Sequence, residues 1–313
     1  MFGPSYHVVP INQKFYKCEC LRTLSIANNL CRAGFPVVVW DINPDARKPF
    51  QIQKGIDILE PADMATTCSV IFFVVPASPE IDGLLKGKRG ILVHARKGLV
   101  LYDLTTSDPV YTKKLARRSA NKGIVYLDAG MSGGGAGAKA GTLSLMVGGD
   151  RKAFENTRTV LNAFAEKVFY LGDSGAGHTL KLIHNMVLHT IFIATCEGGR
   201  MAERAGIALE DMIEVFNVSN ARSYISQVRF PKHILSEKWD AQSRVYNLHK
   251  DVAMAVDLGH TLGADVTLGE DTLAFLDKAM ASGMQDSDFS LLYRDFEKIC
   301  QNSVKQKRLS RKK

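Results

Sequence analysis

A run of glycines that follows a serine is the part of this sequence that most directly suggests ligand chemistry. The run reads Ser132-Gly133-Gly134-Gly135-Ala136-Gly137 and comes after a predicted strand that ends at Asp128. Backbone N–H groups beside a serine hydroxyl make a credible pocket for a carboxylate or another small anion. The same composition also fits a flexible loop, and the segment alone does not separate the two interpretations. A P-loop is excluded, because the run lacks the Lys-Ser/Thr pair that such loops need.

A second candidate is Asp41, which ends a short apolar strand. A carboxylate at that point of a doubly wound sheet holds the two ribose hydroxyls of NAD and repels the additional phosphate of NADP. Asp41 also begins the sequence Asp41-Ile42-Asn43-Pro44, so its role could simply be to start a turn. The glycine fingerprint G-x-G-x-x-G that usually accompanies such a site is absent before the first predicted helix.

Cysteines and histidines give little support for a metal centre. Cys18-x-Cys20 has no second pair and no histidine at ligand spacing. The spacing of His178, His184 and His189 does not repeat a helical turn, so we interpret them as packing or surface residues. The six cysteines are irregularly spaced, which is typical of reduced thiols in an intracellular protein. We therefore expect no metal and a cytoplasmic location, with a mitochondrial one as the alternative.

Strands and helices alternate in the first half of the chain, and these elements must position the candidate residues. Short apolar runs bounded by turn residues predict strands at 36–40, 70–75, 91–93, 99–102, 124–127 and 168–171. Helical spacing lies between several of them, at 24–32 and 111–122. Alternation of this kind predicts an α/β fold with a doubly wound parallel sheet.

After Leu171 the pattern changes to long helical segments, which predicts an all-α second domain. The first of these helices opens at Asp173-Ser174-Gly175 and stops near Gly206; at roughly 25 to 30 residues it would be about 40 Å long. Further helices are predicted at 210–217, 251–262, 271–281 and 291–300. We expect one domain at 1–172, a second at 173–303 and a basic tail at 304–313.

Composition and charge exclude several classes of protein. A chain of 313 residues, 46% of them apolar, is long enough for about two domains with their own cores. Six positive charges in 305–313 account for most of the formal net charge of +8, so we expect a solvated tail and no nucleic-acid partner. The most apolar segment, Met186 to Cys196, is interrupted by His189 and Thr190, and we therefore expect no membrane contact.

Four separated segments fit one known pattern. They are Asp128 to Gly134 with its continuation to Asp150, YDLTTSDP from Tyr102, GAGHTLKLIHN from Gly175, and Lys250-Asp251. In order and spacing they resemble the β-hydroxyacid dehydrogenase family, in particular its 3-hydroxyisobutyrate dehydrogenase branch, from about residue 25 to 299. The resemblance implies an NAD(P)-binding Rossmann-type domain followed by an all-helical domain. It also implies an oxidoreductase that transfers a hydride between the nicotinamide and a small 3-hydroxy acid.

The resemblance assigns roles on the substrate side of the site. Lys181 matches the general acid and base of the family, and Asn185 matches a residue that orients the substrate. Because they are four residues apart on a predicted helix, both project from the same face. A lysine in a closed site near other cations loses proton affinity, so it could accept a hydroxyl proton. Ser132, Gly133 and Gly134 match the residues that bind the substrate carboxylate.

The resemblance also assigns the cofactor side. Asp41 matches the ribose binder, which favours NAD over NADP, and Lys250 matches a lysine near the nicotinamide end. The remaining cofactor-binding positions are Val75, Pro76, Thr105 and Asp251. Members of the family commonly pair through their helical domains, so the resemblance further implies a homo-oligomer.

The sequence departs from the family where the phosphate loop should lie. Aligned back from Ile26, the three fingerprint glycines fall on Cys18, Cys20 and Thr23, whose side chains should obstruct the phosphates or push the helix outward. Val8 to Lys17 should make a poor first strand, because polar residues and a proline interrupt it. Two explanations stay open: an error in the amino-terminal reading frame, or a catalytically impaired homologue that binds small acids or partner proteins.

Overall fold

The computed structural model describes residues 5–10 and 17–301, with side chains from Thr23 onward. The chain divides into two units between Lys181 and Leu182. The first unit is built on a β-sheet and the second from helices.

Among the described residues of the first unit, eight strands form one sheet. They are β1 (Ser5–Pro10), β2 (Val37–Val39), β3 (Ile56–Ile58), β4 (Cys68–Val74), β5 (Val100–Asp103), β6 (Val125–Ser132), β7 (Leu143–Gly148) and β8 (Ala165–Tyr170). Their order is β3-β2-β1-β4-β5-β6-β7-β8. Neighbours from β3 to β6 are parallel, β7 is antiparallel to β6, and β8 is parallel to β7. This confirms the expected doubly wound parallel sheet and adds a reversed pair of strands at one edge.

Local sequence signals set where several helices of this unit begin. The helices are α1 (Lys17–Arg32), α2 (Pro44–Gln51), α3 (Pro61–Thr67), α4 (Ser78–Leu85), α5 (Ile91–His94), α6 (Pro109–Ala120), α7 (Gly134–Ala140) and α8 (Arg151–Leu161). Asn43, Asp108 and Asp150 precede α2, α6 and α8, and each side chain accepts a hydrogen bond from a backbone N–H of the first turn. Such caps satisfy donors that have no partner within the helix.

Apolar side chains cover both faces of the sheet. On β4, Val70 and Phe72 belong to one core cluster, whereas Ile71 and Phe73 belong to the other. Successive side chains of a strand point to opposite faces, so a strand that is buried on both needs apolar residues at every position. This explains why the continuous apolar run at 70–75 predicts the strand correctly.

The first strand differs from the expectation. Val8 to Lys17 should make a poor strand, yet Ser5–Pro10 forms β1 at the centre of the sheet, between β2 and β4. Tyr6 pairs with Val37 in this arrangement. The proline is the last residue of β1, where its missing N–H disturbs the ladder least. The expectation is therefore wrong for this part, and 11–16 lie outside the described residues.

Three other elements also differ from the expectation. The run at 91–93 is part of the short helix α5 and not a strand, because three apolar residues alone do not distinguish the two. Two strands, β3 and β7, are not predicted at all. The sequence of β3 is a short IDI, and β7 follows directly on a glycine-rich segment that obscures its beginning.

The second unit is helical, as the sequence predicts. It contains most of α9 (Ala176–Arg204), together with α10 (Leu209–Val218), a π-helical segment (Ile225–Leu235), α11 (Val245–Thr261), α12 (Thr267–Ala281) and α13 (Leu291–Arg294). Aromatic rings fill its core, and the ring of Phe192 lies 5.0 Å from that of Phe289. The π-helical segment contains Pro231 and has no counterpart in the sequence prediction.

The long helix predicted after Leu171 is confirmed, since α9 has 29 residues. Within the described part of the chain it is the one helix whose length and composition would allow it to cross a membrane, and 44% of its most apolar window is buried. One such helix is weak evidence, because core helices of non-membrane proteins share these properties.

Candidate active site

A buried carboxylate fixes the beginning of α9. Asp128 lies in β6 and is fully buried. Its Oδ1 accepts a hydrogen bond from the N–H of Gly175 at 2.7 Å, and its Oδ2 accepts one from the N–H of His178 at 2.9 Å. The first N–H groups of a helix lack partners within the helix, and the helix dipole makes that end positive. Asp128 therefore holds the first turn of α9 against β6.

Two glycines allow α9 to approach the sheet closely. A Cβ on Gly177 would lie 2.2 Å from the carbonyl oxygen of Met146 and 2.9 Å from Oδ2 of Asp128. A Cβ on Gly148 would lie 2.8 Å from the carbonyl oxygen of Asp173. These separations are well inside ordinary contact distances of about 3.5 Å. A side chain at either position would push the start of α9 away from the sheet.

The same approach determines the place of Lys181. This residue lies one turn after Gly177 in α9 and is 7% exposed. A Cβ on Gly130, which shares a face of β6 with Asp128, would lie 2.6 Å from the Cβ of Lys181 and 3.0 Å from its Cγ. The lysine stem therefore packs directly on the backbone of Gly130. Ser132 is the next residue on that face, about 6.6 Å further along the strand.

The strand β6 leads into a turn made by two glycines. The backbone angle φ is +121° at Gly133 and +61° at Gly134, a region that favours glycine. Ser132 is half-buried, and both glycines are exposed. The remaining glycines of the run belong to α7, so they form a helix and not a flexible loop. A serine hydroxyl and an accessible backbone thus follow directly after the position on which Lys181 packs.

The part of β6 that carries Gly130 and Ser132 extends beyond β5. Asp103 is the last residue of β5, and it pairs in register with Asp128. From Ala129 to Ser132, β6 pairs with β7 alone among the described strands. Over the same residues β7 also pairs with β8, so Ser132 lies in a three-stranded part of the sheet that extends beyond β5, and Gly133 and Gly134 follow directly after it.

The cofactor candidates of the first unit lie at the carboxyl ends of parallel strands. Asp41 follows β2, Val75 and Pro76 follow β4, and Thr105 follows β5. Doubly wound sheets bind their ligands at this edge. Asp41 is 8% exposed, and its Oδ1 accepts a hydrogen bond from the N–H of Asn43 at 2.8 Å. Asp41 therefore does start a turn, as the alternative to a ribose-binding role predicts.

A second buried carboxylate holds the loop of Thr105. Oδ1 of Asp103 accepts hydrogen bonds from the N–H of Thr105 at 2.9 Å and from its hydroxyl at 2.6 Å. The hydroxyl of Tyr126 donates to Oδ2 of Asp103 at 2.8 Å. Burial, together with the nearby charge of Asp103, raises the pKa of Tyr126, so this phenol keeps its proton. The loop after β5 is therefore fixed from within the fold.

In the second unit, Asp251 contacts two other candidate residues. Nδ2 of Asn185 donates a hydrogen bond to Oδ2 of Asp251 at 2.7 Å, and Nζ of Lys250 lies 3.2 Å from Oδ1. Nδ1 of His184 lies 2.9 Å from the amide oxygen of Asn185. Asp251 is 8% exposed. Its observed partners are the side chains expected to face the substrate and the nicotinamide, so Asp251 can orient both.

The sequence-predicted site residues form three groups in the structure. In the first unit, the candidates for substrate binding and proton transfer are Lys181, Ser132, Gly133 and Gly134. The candidates for cofactor binding at the sheet edge of the same unit are Asp41, Val75, Pro76 and Thr105. The second unit contains the cluster of Asn185, Lys250 and Asp251.

Three buried residues near these groups were not singled out from the sequence. Asp103 and Asp128 were quoted only as parts of motifs, and His178 was interpreted as a packing or surface residue. His178 is fully buried, with Nδ1 2.7 Å from Oγ1 of Thr112. A carboxylate at the end of a strand that is buried on both faces is a usable sequence signal, because burial of an unpaired charge is costly.

The thiols and histidines form no metal centre in the part of the chain that the structure describes. Cys31, Cys68, Cys196 and Cys300 are free thiols. Burial raises the pKa of Cys68 to about 12 and that of Cys196 well above its ordinary value. Both therefore stay protonated and are poor ligands and nucleophiles. The side chains of the Cys18-x-Cys20 pair lie outside the described residues.

The sheet edge can accept the ribose and nicotinamide ends of a dinucleotide, because the strand order and the Asp41 carboxylate are those of such sites. The phosphate end is less complete. Cys18 and Cys20 lie in the first turns of α1, and Thr23 is 1% exposed within the same helix. Residues 11–16 fall outside the description. The expectation that these side chains obstruct the phosphates therefore stays a prediction.

Two protein-family models match the chain. Residues 24–172 match the NAD-binding domain of 6-phosphogluconate dehydrogenase. Residues 175–296 match the NAD-binding domain of NADP-dependent 3-hydroxyisobutyrate dehydrogenase. NAD(P)-binding domains are therefore present, and the first match begins after the three altered fingerprint positions.

Relatives and solved structures agree with these matches. The chain is 31% identical over 285 residues to a protein of Dictyostelium discoideum named "Probable 3-hydroxyisobutyrate dehydrogenase, mitochondrial", with 88% of each chain covered. It is 28% identical to 2-(hydroxymethyl)glutarate dehydrogenase of Eubacterium barkeri, covering 89% of this chain and 93% of the relative. The 3-hydroxyisobutyrate dehydrogenase of Mycobacterium tuberculosis, solved with L-serine, has the same fold. Its TM-score is 0.82 at 23% identity, and the match covers 93% of this chain and 99% of that one.

We predict that Gly130→Ala destabilises the first unit, because the new methyl group would collide with the Lys181 stem. Overpacking of this kind typically costs about 1–3 kcal/mol, which chemical denaturation would measure as a lower free energy of unfolding. Gly198→Ala is the matched control, since Gly198 lies in the same α9 with no heavy atom within 4 Å of a new Cβ. Equal stability of Gly130→Ala and Gly198→Ala would contradict the close packing of Lys181 on β6.

Proposed function

Because the chain belongs to the β-hydroxyacid dehydrogenase family, we propose that it oxidises a small 3-hydroxy acid, similar to 3-hydroxyisobutyrate, with NAD as hydride acceptor. The observation that carries this proposal is the packing of Lys181 on Gly130, on the strand face that continues to Ser132. From it we infer that the Lys181 amine, the Ser132 hydroxyl and the exposed glycine turn act at one place in the first unit. These are the groups that an alcohol with a nearby carboxylate requires.

Lys181 carries the proton in this scheme. Oxidation breaks the carbinol C–H bond, whose electron pair leaves as hydride, and the O–H bond, whose proton passes to Nζ of Lys181. A carbonyl forms, and the product is the semialdehyde of the hydroxy acid. The bound nicotinamide supplies the hydride acceptor. In the reverse direction the ammonium form of Lys181 returns the proton. Lys181 must therefore be neutral for oxidation and charged for reduction.

The remaining candidates bind and orient the substrate. We assign its carboxylate to the Ser132 hydroxyl and to the backbone of Gly133 and Gly134, which form an exposed turn with positive φ angles. Asn185 lies one turn after Lys181 on α9 and can hold the substrate hydroxyl. Asp251 keeps the Asn185 amide in one orientation through the 2.7 Å hydrogen bond.

The cofactor preference that we propose is NAD. Asp41 offers a carboxylate to the ribose hydroxyls, which would repel a 2′-phosphate. The residues directly after it, Ile42 and Asn43, are uncharged. Arg47 is the nearest arginine in sequence, and its Nε donates a hydrogen bond to the backbone carbonyl of Asp41. Its guanidinium also lies 5.1 Å from the centre of the Trp40 ring and 3.7 Å from the carboxylate of Glu60. Val75, Pro76 and Thr105 would flank the dinucleotide, and Lys250 would approach its nicotinamide end.

A second candidate function is supported by the altered phosphate loop. Cys18, Cys20 and Thr23 replace the glycines that let the backbone approach the pyrophosphate. A homologue that binds small acids or partner proteins, and does not turn them over, would keep the substrate side of the site and lose the cofactor. Isothermal titration of the purified chain with NAD separates the two functions. Absence of heat at millimolar NAD would favour the binding protein.

We further propose that the chain forms a homo-oligomer through α9. Ile183, Val187 and Ile191 follow one another at helical spacing and are 42%, 49% and 37% exposed. An exposed apolar stripe of this kind is typical of a helix that packs against a partner. Sedimentation velocity should give a mass of at least two chains, and Val187→Glu should reduce it to one chain.

The proposed compartment is intracellular. Four free thiols among the described residues are typical of a reducing environment. The name of the Dictyostelium relative places that protein in the mitochondrion. We propose the cytoplasm for this chain, with the mitochondrion as the alternative.

We predict that Lys181→Ala lowers kcat for 3-hydroxy acids by about 100- to 10,000-fold, the usual contribution of general acid–base catalysis. The Kd of NAD, measured by titration calorimetry, should not change. In the wild type the oxidation rate should rise with pH as the amine loses its proton, and the variant should lose that dependence. Lys167→Ala, at an exposed lysine of β8, is the control. A fully active Lys181→Ala enzyme would remove the proposed proton carrier.

We predict that Asp41→Asn reduces the preference for NAD over NADP. The substitution removes the negative charge that repels the 2′-phosphate and weakens the bond to the ribose hydroxyls, so the ratio of the two Kd values should fall by about tenfold or more. Fluorescence titration with NADH and NADPH measures this ratio without turnover. Asp57→Asn, at an exposed carboxylate of β3, should leave it unchanged. An unchanged ratio in Asp41→Asn would show that Asp41 only starts the turn.

A further inference from the structure

We propose that Asp103 and His178 are positioning residues that connect the Thr105 loop to the first turn of α9 and thereby fix the place of the Lys181 amine. This inference rests on the proposed function, in which Lys181 carries the proton. Asp103 and His178 take no part in proton transfer; they act through Lys181.

Asp103 is the fixed point of this connection. The carboxylate is fully buried, and three donors from Thr105 and Tyr126 occupy it. Nε2 of His178 lies 3.7 Å from Oδ1 of Asp103. A buried carboxylate is tolerated only where donors or positive groups surround it. Asp103 therefore holds both the loop after β5 and the imidazole ring in one arrangement.

One nitrogen of the His178 ring has a hydrogen-bond partner. The hydroxyl of Thr112 lies 2.7 Å from Nδ1 of His178 and 3.0 Å from the carbonyl oxygen of Asp108. A hydroxyl both donates and accepts, so it can serve either tautomer of the ring. The other ring nitrogen, Nε2, is buried without a hydrogen-bond partner among the described residues. The ring is thus held by α6 on one side and faces the end of β5 on the other.

The backbone of His178 belongs to the same arrangement. Its N–H donates to Oδ2 of Asp128, and Asp128 stands opposite Asp103 in the register of β5 and β6. The main chain of His178 is therefore fixed by one buried carboxylate, while its ring faces the other. Lys181 lies three residues later, in the next turn of α9. Any displacement of His178 is consequently passed on to Lys181 through the rigid helix.

Two substitutions distinguish a purely space-filling role of His178 from a positioning role, because one keeps a ring and the other keeps polar atoms. Phenylalanine keeps a planar ring that is somewhat larger than imidazole, but it offers no polar atom to Thr112 or Asp103. Glutamine keeps an amide group that can donate to or accept from the Thr112 hydroxyl. If only packing matters at this fully buried position, phenylalanine should be tolerated better than glutamine. If the place of Lys181 depends on the polar contacts of His178, glutamine should be tolerated better than phenylalanine.

The test compares His178→Phe and His178→Gln, each made in the wild type and in the Lys181→Ala variant. We expect His178→Phe to lower kcat by about 100-fold, the loss typical of a misplaced catalytic group, while the hydroxy-acid KM changes by less than about threefold. His178→Gln should recover kcat to within about tenfold of the wild type. In the Lys181→Ala background neither substitution should lower kcat further, because both act through the missing amine.

A measurement without turnover accompanies the kinetics. Amide hydrogen exchange in the peptide from Gly175 to Lys181 should accelerate by about tenfold or more in His178→Phe, because the first turn of α9 loses its side-chain contacts with Thr112 and Asp103 and keeps only the backbone bonds to Asp128. His189→Phe is the matched control, since His189 is also buried in α9 but lies eleven residues further along it. Exchange of the same peptide should be unchanged in that variant.

Several outcomes would overturn the proposal. One is that His178→Phe lowers kcat as much in the Lys181→Ala background as in the wild type. Another is that kcat of His178→Gln is no higher than that of His178→Phe. If the wild type turns over no hydroxy acid, the proposed function fails, and the exchange measurement still decides this inference: unchanged exchange from Gly175 to Lys181 refutes it. If His178→Phe does not fold, Thr112→Val removes the partner of Nδ1 from a different helix and carries the same expectations.

Discussion

The first unit depends on the contact between the buried carboxylate of Asp128 and the positive end of α9. Two N–H groups and the helix dipole offset the cost of burying this charge. A second buried carboxylate, that of Asp103, stands beside it in the neighbouring strand. Two adjacent carboxylates inside a fold need donors: the beginning of α9 supplies those of Asp128, and Thr105 and Tyr126 supply those of Asp103. The place of Lys181 follows from the need of the Asp128 carboxylate for hydrogen-bond donors, which the N–H groups of Gly175 and His178 supply at the beginning of the same helix.

Glycines show how differently the two sides of the sheet edge are constrained. Where a helix must touch the sheet, Gly130, Gly148 and Gly177 are all present, and a Cβ on any of them would meet an atom closer than 3 Å. Where the backbone should approach a pyrophosphate, Cys18 and Cys20 stand instead. The chain therefore has the close contacts of the proposed proton-transfer side, whereas the fingerprint glycines of the phosphate side are absent.

The sequence was sufficient for elements whose burial repeats regularly. Phe72 and its neighbours in β4 form an unbroken apolar run because both faces are covered, and α9 has a long helical period. It was insufficient where a run of three apolar residues could form either a strand or a helix, as in Ile91–His94. In the site, the spacing of Lys181 and Asn185 was readable along the chain. The hydrogen bond from Asn185 to Asp251 and the one between His178 and Thr112 each join residues 66 positions apart, and no local pattern encodes them.

The projection of β6 beyond β5 gives the molecule a way to change its ligand range. Ser132 stands on this arm of three strands, four residues past the level at which Asp103 and Asp128 face each other. Lengthening or shortening β6 and β7 by two residues each would move the proposed carboxylate holder by about 6.6 Å and keep its face. The dinucleotide half would be untouched by such a change. Hydroxy acids with longer or shorter carbon skeletons could in this way be accommodated through evolution of a single arm.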